Sequence, residues 1–377
     1  MDRNEFLNKI KEVEKNSKFK NICLNNYEFR STPSHFPGQS ANKMLMGNEN
    51  YVLNDFSLSQ FLSRIGLNCS AINNDRFISA NSELIEKLIS QVLMGNEEYY
   101  STAYIRDNNI LAAHSKNYKP LQISSLIETI EAELNRRYKN FTFEDGFYSD
   151  EITICDYAIN DLATERAYKR AFNLEDAELK VILRFATSNL GLSGANLFPL
   201  SAYKRQTGKQ FYYLPTSDKT ITLKHEGDAS IEKFRKNLNV MFSLTETLPE
   251  RISELDNIKI NYPTHCCINL AEKVGIPAKY ISDIAENVAF VYPNTTITAK
   301  QLYILFTDVQ RQVEGSIQRF NLSERVAKAI RILKEHSEDV DIPRIKWKRL
   351  QNITADEGQD FIPSSSDSDI EQMKFAC

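Results

Sequence analysis

No run of apolar residues in this chain approaches the ~18 needed to cross a bilayer, and glycine and proline are sparse, at 12 and 11 among 377 residues. The first shortage argues against a membrane-spanning helix. The second leaves little material for a phosphate-cradling loop, and no glycine-rich turn ending in Gly-Lys-Ser/Thr occurs. A hydrolase nucleophile elbow is also missing: Gly191-Leu192-Ser193-Gly194-Ala195 places alanine where that motif needs its last glycine. Neither Cys-x-x-Cys nor His-x-x-x-His occurs. Six cysteines scattered without paired spacing fit reduced thiols better than a disulfide framework. His265-Cys266-Cys267 is the densest cluster of ligating residues, and its adjacent cysteines suit a buried helix face better than one tetrahedral ion. His35, His114, His225 and His336 each stand alone and receive no role. No catalytic set is recognisable, and no cofactor is called for. Neither sign of charge dominates, the formal net charge being −4, so any polyanion site has to come from local clustering. The polar opening Met1-Asp2-Arg3-Asn4-Glu5-Phe6 resembles no export signal, which makes the cytoplasm the expected compartment.

What is present suits a folded α+β protein: 42% of residues are apolar and 25% charged. Phe6, Ile10 and Val13 predict an amphipathic helix over 2–15. Residues 21–47, with Pro33, Pro37 and Gly38, read as an irregular arm. Helices are expected at 56–66, closed by Gly66, at 82–94 and at 126–138. Tyr99–Ile105 and Ile110–His114 flank Asp-Asn-Asn as a β-hairpin. Ile152–Ala158 and Leu179–Ala186 read as strands, and 210–214 with 220–224 as a second hairpin. Beyond Ser230 the chain turns helical, with Pro249 expected to break the first helix. Further helices are expected at 298–313 and 323–334. The division that follows is an arm over 1–50, an α+β core with a mainly antiparallel sheet over 51–260, a helical region over 261–340, and a basic linker with a disordered acidic tail over 341–377.

Candidate binding residues concentrate between 203 and 225. Lys204, Arg205, Lys209, Lys219 and Lys224 interleave there with Tyr203, Tyr212 and Tyr213, against the single acid Asp218. Cations that neutralise phosphates and rings that stack on bases suit single-stranded nucleic acid. Arg136, Arg137 and Lys139 form a smaller patch of the same kind. A sheet with one buried and one solvated face alternates in the same way. Residues 268–286 have the form of a helix-turn-helix, but Lys279 is the only cation of the second helix, which favours plain helical packing over duplex reading.

From Phe56 to about Val313 the order of features resembles the phage- and plasmid-borne family called domain of unknown function 932. The resemblance rests on Leu58–Leu67, on the run Ile110–Leu121 with its Ser115 and Tyr118, on Asn189–Asn196 and on Ile297–Phe306. The family's Cys-Thr-Asn-Gly-type stretch has no counterpart near Phe198–Tyr203. The resemblance implies a mobile-element setting and no particular activity. Together these features lead to the expectation of a phage-type DNA-metabolism protein that binds single-stranded DNA, an annealing recombinase being one form of it, in the host cytoplasm. The alternative is an anti-defence or host-takeover protein acting through protein contact. A protein partner held by the 351–377 tail and a homo-oligomer are compatible with either, and no membrane association is expected.

Overall fold

Asp2 caps the first helix by accepting a hydrogen bond from the Glu5 amide, and α1 (Arg3–Lys15) buries Phe6, Leu7, Ile10 and Val13 along one stripe, as their spacing predicts. The computed structural model describes residues 1–32, 42–67, 75–204, 212–217, 220–313 and 316–354. Two compact units divide the chain, and each draws on three stretches. The first takes 1–162, 181–199 and 220–245; the second takes 163–180, 200–219 and everything from 246 onward.

The first unit holds a six-stranded sheet built from β1 (Ser17–Cys23), β2 (Glu28–Thr32), β3 (Asn42–Met46), β4 (Tyr51–Leu53), β5 (Tyr100–Arg106) and β6 (Asn109–Ser115). Its order is β1-β5-β6-β4-β3-β2. The pairs are antiparallel except β4 with β6. Asp107 and Asn108 hold φ of 49° and 60° between β5 and β6, the left-handed values that a two-residue hairpin turn demands and that these residues tolerate. Helices α2 (Asp55–Arg64) and α3 (Asp75–Leu93) contribute Leu58, Phe61, Leu62, Ile85 and Ile89 to the core shared with this sheet. The irregular arm expected over 21–47 is thereby corrected. Its described residues supply the end of β1 and both β2 and β3, which pair through their backbones while Phe29 and Leu45 reach the core. The expected break at Pro33, Pro37 and Gly38 lies outside the described residues.

Chain order continues with α4 (Ile123–Tyr138), β7 (Phe141–Tyr148), β8 (Thr153–Ile159), α5 (Leu162–Phe172), β9 (Glu178–Thr187), β10 (Ala195–Lys204), β11 (Tyr212–Pro215), β12 (Ile221–Leu223) and α6 (Ile231–Ser253). The second sheet runs β11-β10-β9-β8-β7, with β12 also on β10. In the first unit β8 is buried along its whole length, and Phe185 of β9 meets Phe234 of α6 edge to face. The hairpin expected over 210–224 does not form. β11 pairs with Leu200–Tyr203 and β12 with Ala195–Leu197, so both lie along β10 instead of along each other. A ten-residue buried strand offers room for two short partners.

The second unit contains α5, the far ends of β9 and β10, β11, the pair β13 (Lys259–Ile260) with β14 (Ile297–Thr298), and helices α7 (Pro263–Lys273), α8 (Ser282–Val291), α9 (Ala299–Phe306) and α10 (Ser316–Glu335). Thr298 and Gln301 form a reciprocal capping box at the start of α9. His265, Cys266 and Cys267 are fully buried in α7. The segment 268–286 is a helical hairpin turning at Gly275, whose φ is +76°. Two expectations are corrected. α6 continues past Pro249, because Leu248 and Ile252 are both buried there. Residues 341–354 are ordered and not a linker: Ile345 and Leu350 are buried, and Asp341 accepts from the amides of Asn261 and Tyr262 at 2.8 Å each, at the start of α7. The acidic tail beyond lies outside the described residues. Among the described residues, no helix is long and apolar enough to cross a membrane.

Candidate nucleic-acid interface

The basic-aromatic stretch read from the sequence is split by the fold. Tyr203, Lys204, Tyr212 and Tyr213 belong to the second unit and Lys224 to the first. Tyr203 is 3% exposed, so its ring is sealed and offers no face to a base, which corrects the stacking role given to it. Lys204 is paired with Glu178 at 3.1 Å, and Tyr213 is half-buried, its carbonyl accepting from Gln310. Arg205, Lys209 and Lys219 lie outside the described residues, as does the side chain of Tyr212. In the other patch Arg136 is held by Glu133 at 2.7 Å and by Asn239, while Arg137 and Lys139 are exposed.

A different cluster assembles around Lys224, from stretches that never meet in the sequence. The end of β6 leads into the loop 116–121, the β9–β10 connection supplies 188–194, and the turn after β12 supplies 224–228. All lie in the first unit. Backbone bonds knit them: the Lys119 amide donates to the His225 carbonyl at 2.8 Å, and Tyr118 bridges to Glu226. Gln60 of α2 clasps two of these stretches, its side-chain amide donating to the Leu190 carbonyl and its oxygen accepting from the Ala113 amide.

Inside this frame the rings form a column. His114 lies 3.8 Å from Tyr118 at an interplanar angle of 8°, and His225 stacks on the same tyrosine at 5.3 Å. Phe19 continues the series from Tyr118 to Tyr104. The two histidines treated as isolated are thus neighbours through one tyrosine. Both are buried. Burial is the main cause that pushes His114 down to about 4, assisted by the nearby His225 and Arg64 and opposed by the Asn189 carbonyl. Burial likewise lowers His225, opposed by the Lys119 carbonyl. Each neutral ring takes its tautomer from its partners, because a carbonyl can only accept. His114 therefore donates from Nε2 to Asn189 O at 2.8 Å. His225 donates from Nδ1 to Lys119 O, leaving Nε2 to accept from the Thr187 hydroxyl at 3.2 Å.

Two hollows share this frame, and His114, Tyr118 and His225 of the column line the smaller. One, of about 260 Å³, is bounded by Arg64, His114, Ser115, Gly191, Lys224 and Glu226 among others. The other, of about 760 Å³, shares Lys224 and Glu226 and adds Lys116, Lys119, Lys233 and Asp228. Cations outnumber carboxylates around both. Lys233 is paired with Asp228, whose carboxyl it holds below the usual range, and Lys224 lies 3.7 Å from Glu226. Among the described residues, Lys116 and Lys119 have no ion-pair partner, and Arg64 uses only Nε, on the Ala113 carbonyl at 3.4 Å. Such an arrangement can neutralise phosphates, and Tyr118, which stands between Lys116 and Lys119 in the loop, is stacked on both His114 and His225.

Of the residues singled out from composition, Lys224 alone stands here. Ser115 and Tyr118 were visible only as part of the Ile110–Leu121 run; Lys116 and Lys119 are the two cations of the acid-free run 108–127, too few to stand out, and Lys233 directly follows Glu232. No family model, no curated protein and no solved structure matches this chain.

Proposed function

We propose that the protein binds single-stranded DNA through the two hollows of the first unit, with Lys116, Lys119, Lys224 and Lys233 meeting phosphates. The observation that carries this reading is the convergence of these lysines, from three separate stretches, on adjoining concavities edged by only Glu226 and Asp228. Phosphate neutralisation releases counterions and supplies most of the affinity of such interfaces. Cations gathered around a concavity favour a flexible strand over duplex DNA, whose persistence length is about 150 base pairs. A role in DNA metabolism, with strand annealing as its most direct form, accords with the resemblance of residues 56–313 to a mobile-element family.

The test is a fluorescence-anisotropy titration of labelled oligonucleotides between 50 and 200 mM salt. Four phosphate contacts predict a log-log slope of about −3 for a single strand, at roughly 0.7 per phosphate. The triple variant Lys116→Glu, Lys119→Glu, Lys224→Glu is expected to lose binding, while Arg136→Ala is expected to retain it. Salt-indifferent binding, or binding that survives the triple variant, overturns the proposal.

A further inference from the structure

The small hollow contains a group that phosphate binding does not use. His114 is 4% exposed, its Nε2 is committed to Asn189, and its Nδ1 has no hydrogen-bond partner among the described residues. That nitrogen faces Gly191, where an added Cβ would come within 3.0 Å of it. Gly191 also holds φ of +80°, so the glycine both makes the turn and leaves Nδ1 uncovered. Stacking on Tyr118 and the Asn189 bond fix the ring, which presents a preorganised acceptor in a hollow also lined by Ser115 and by Arg64, whose terminal nitrogens have no partner among the described residues.

Resting on the strand-binding reading, we infer that this hollow selects a nucleotide unit, its phosphate meeting Arg64 while a ligand N–H or O–H donates to His114 Nδ1. A deoxyribose-phosphate backbone has no such donor along its length; nucleobases and the ribose 2′-hydroxyl do. The depressed basicity of His114 favours recognition over proton abstraction, since an efficient general base titrates near the working pH. A buried acceptor left unmatched disfavours the wrong ligand.

The experiment compares three labelled oligomers of equal length at one salt concentration: ribonucleotide, deoxyribonucleotide and an abasic strand of tetrahydrofuran phosphate units, which lacks the 1′-hydroxyl. Wild-type protein is expected to bind the abasic strand about tenfold more weakly than the better of the other two. A ribonucleotide preference identifies the ribose hydroxyl as donor; equal binding of ribo- and deoxyribonucleotide strands identifies the base. His114→Phe keeps the stacked ring and removes the acceptor. Gly191→Asn, a residue that tolerates positive φ, sets a Cβ against Nδ1 while leaving the histidine itself unsubstituted. Both variants are expected to lose the discrimination while keeping wild-type affinity for the abasic strand. Equal binding of all three strands by the wild type, or discrimination that persists in both variants, overturns the inference and leaves the lysine reading standing. If no strand binds, the lysine reading itself falls, and this inference with it.

Discussion

Arg184 and Asp156 face each other across β9 and β8 with both side chains more than nine-tenths buried, joined by two hydrogen bonds of 2.7 and 2.6 Å. Desolvating two charges costs about as much as their attraction returns, but removing one partner strands the other. Arg184→Ala is therefore expected to lower stability by about 3–5 kcal/mol, read as a shift of the urea midpoint. The double variant Arg184→Met, Asp156→Leu should recover most of that loss. His114 sets a second expectation, on pH. An ordinary histidine titrates at 6.5 and His114 at about 4, so between these values the unfolded chain binds a proton that the folded chain refuses. Stability is then lost as pH falls from about 6.5 towards 4, by about 3 kcal/mol over the whole window, and this group contributes nothing further below it. Thermal midpoints at pH 7.5 and pH 5 should diverge in the wild type and converge in part in His114→Phe. The depressed His225 acts with the same sign.

Among the elements, the start of α7 depends on a residue far along the chain. Asp341 accepts from two amides at that end, 79 and 80 positions away. Asp341→Ala is expected to cost about 1–2 kcal/mol, as for loss of a helix cap. A chain ending at Val340 should unfold at a clearly lower temperature than one ending at Thr354, because it forfeits Ile345 and Leu350 as well. Neither effect could be foreseen from the text of 341–354, whose charges and single proline, Pro343, imitate a linker while two buried aliphatic residues anchor it. Elements whose cause is local were legible: the stripe of α1, the Gly66 turn, the Asp107-Asn108 hairpin and the Thr298 cap. Elements whose cause lies elsewhere in the chain were not. β2 carries Phe29 as its one apolar residue and β3 a run of three without alternation, so neither shows the period of two, and both are made strands by their neighbours. β11 and β12 read as each other's partners because β10 precedes both in sequence and lies alongside both in space. The interface suffered the same fate. Composition pointed to Tyr203, which the sheet seals, whereas His114, Tyr118 and His225 are unremarkable apart and form a column only after folding.

At the scale of the whole molecule, interleaving means that no contiguous half can complete the second sheet, although the core of the first lies within residues 22–113. A fragment of residues 1–162 retains β7 and β8 but lacks Val181–Thr187, the stretch of β9 that pairs with β8. It is expected to lose protease protection over 141–159 while the first sheet, whose core lies within residues 22–113, stays protected; protection of 141–159 equal to that in the full chain would contradict the dependence of β8 on β9. The same arrangement governs the order of events on the ribosome. At about 5–20 residues per second, translation takes several seconds to travel from Leu162 to Thr245, and until Val181–Thr187 emerges within that interval the edge of β8 that β9 pairs with stays open. Lys233 is delivered near the close of it, so the larger of the two hollows gains its last lysine only after β9 and β10 have been made.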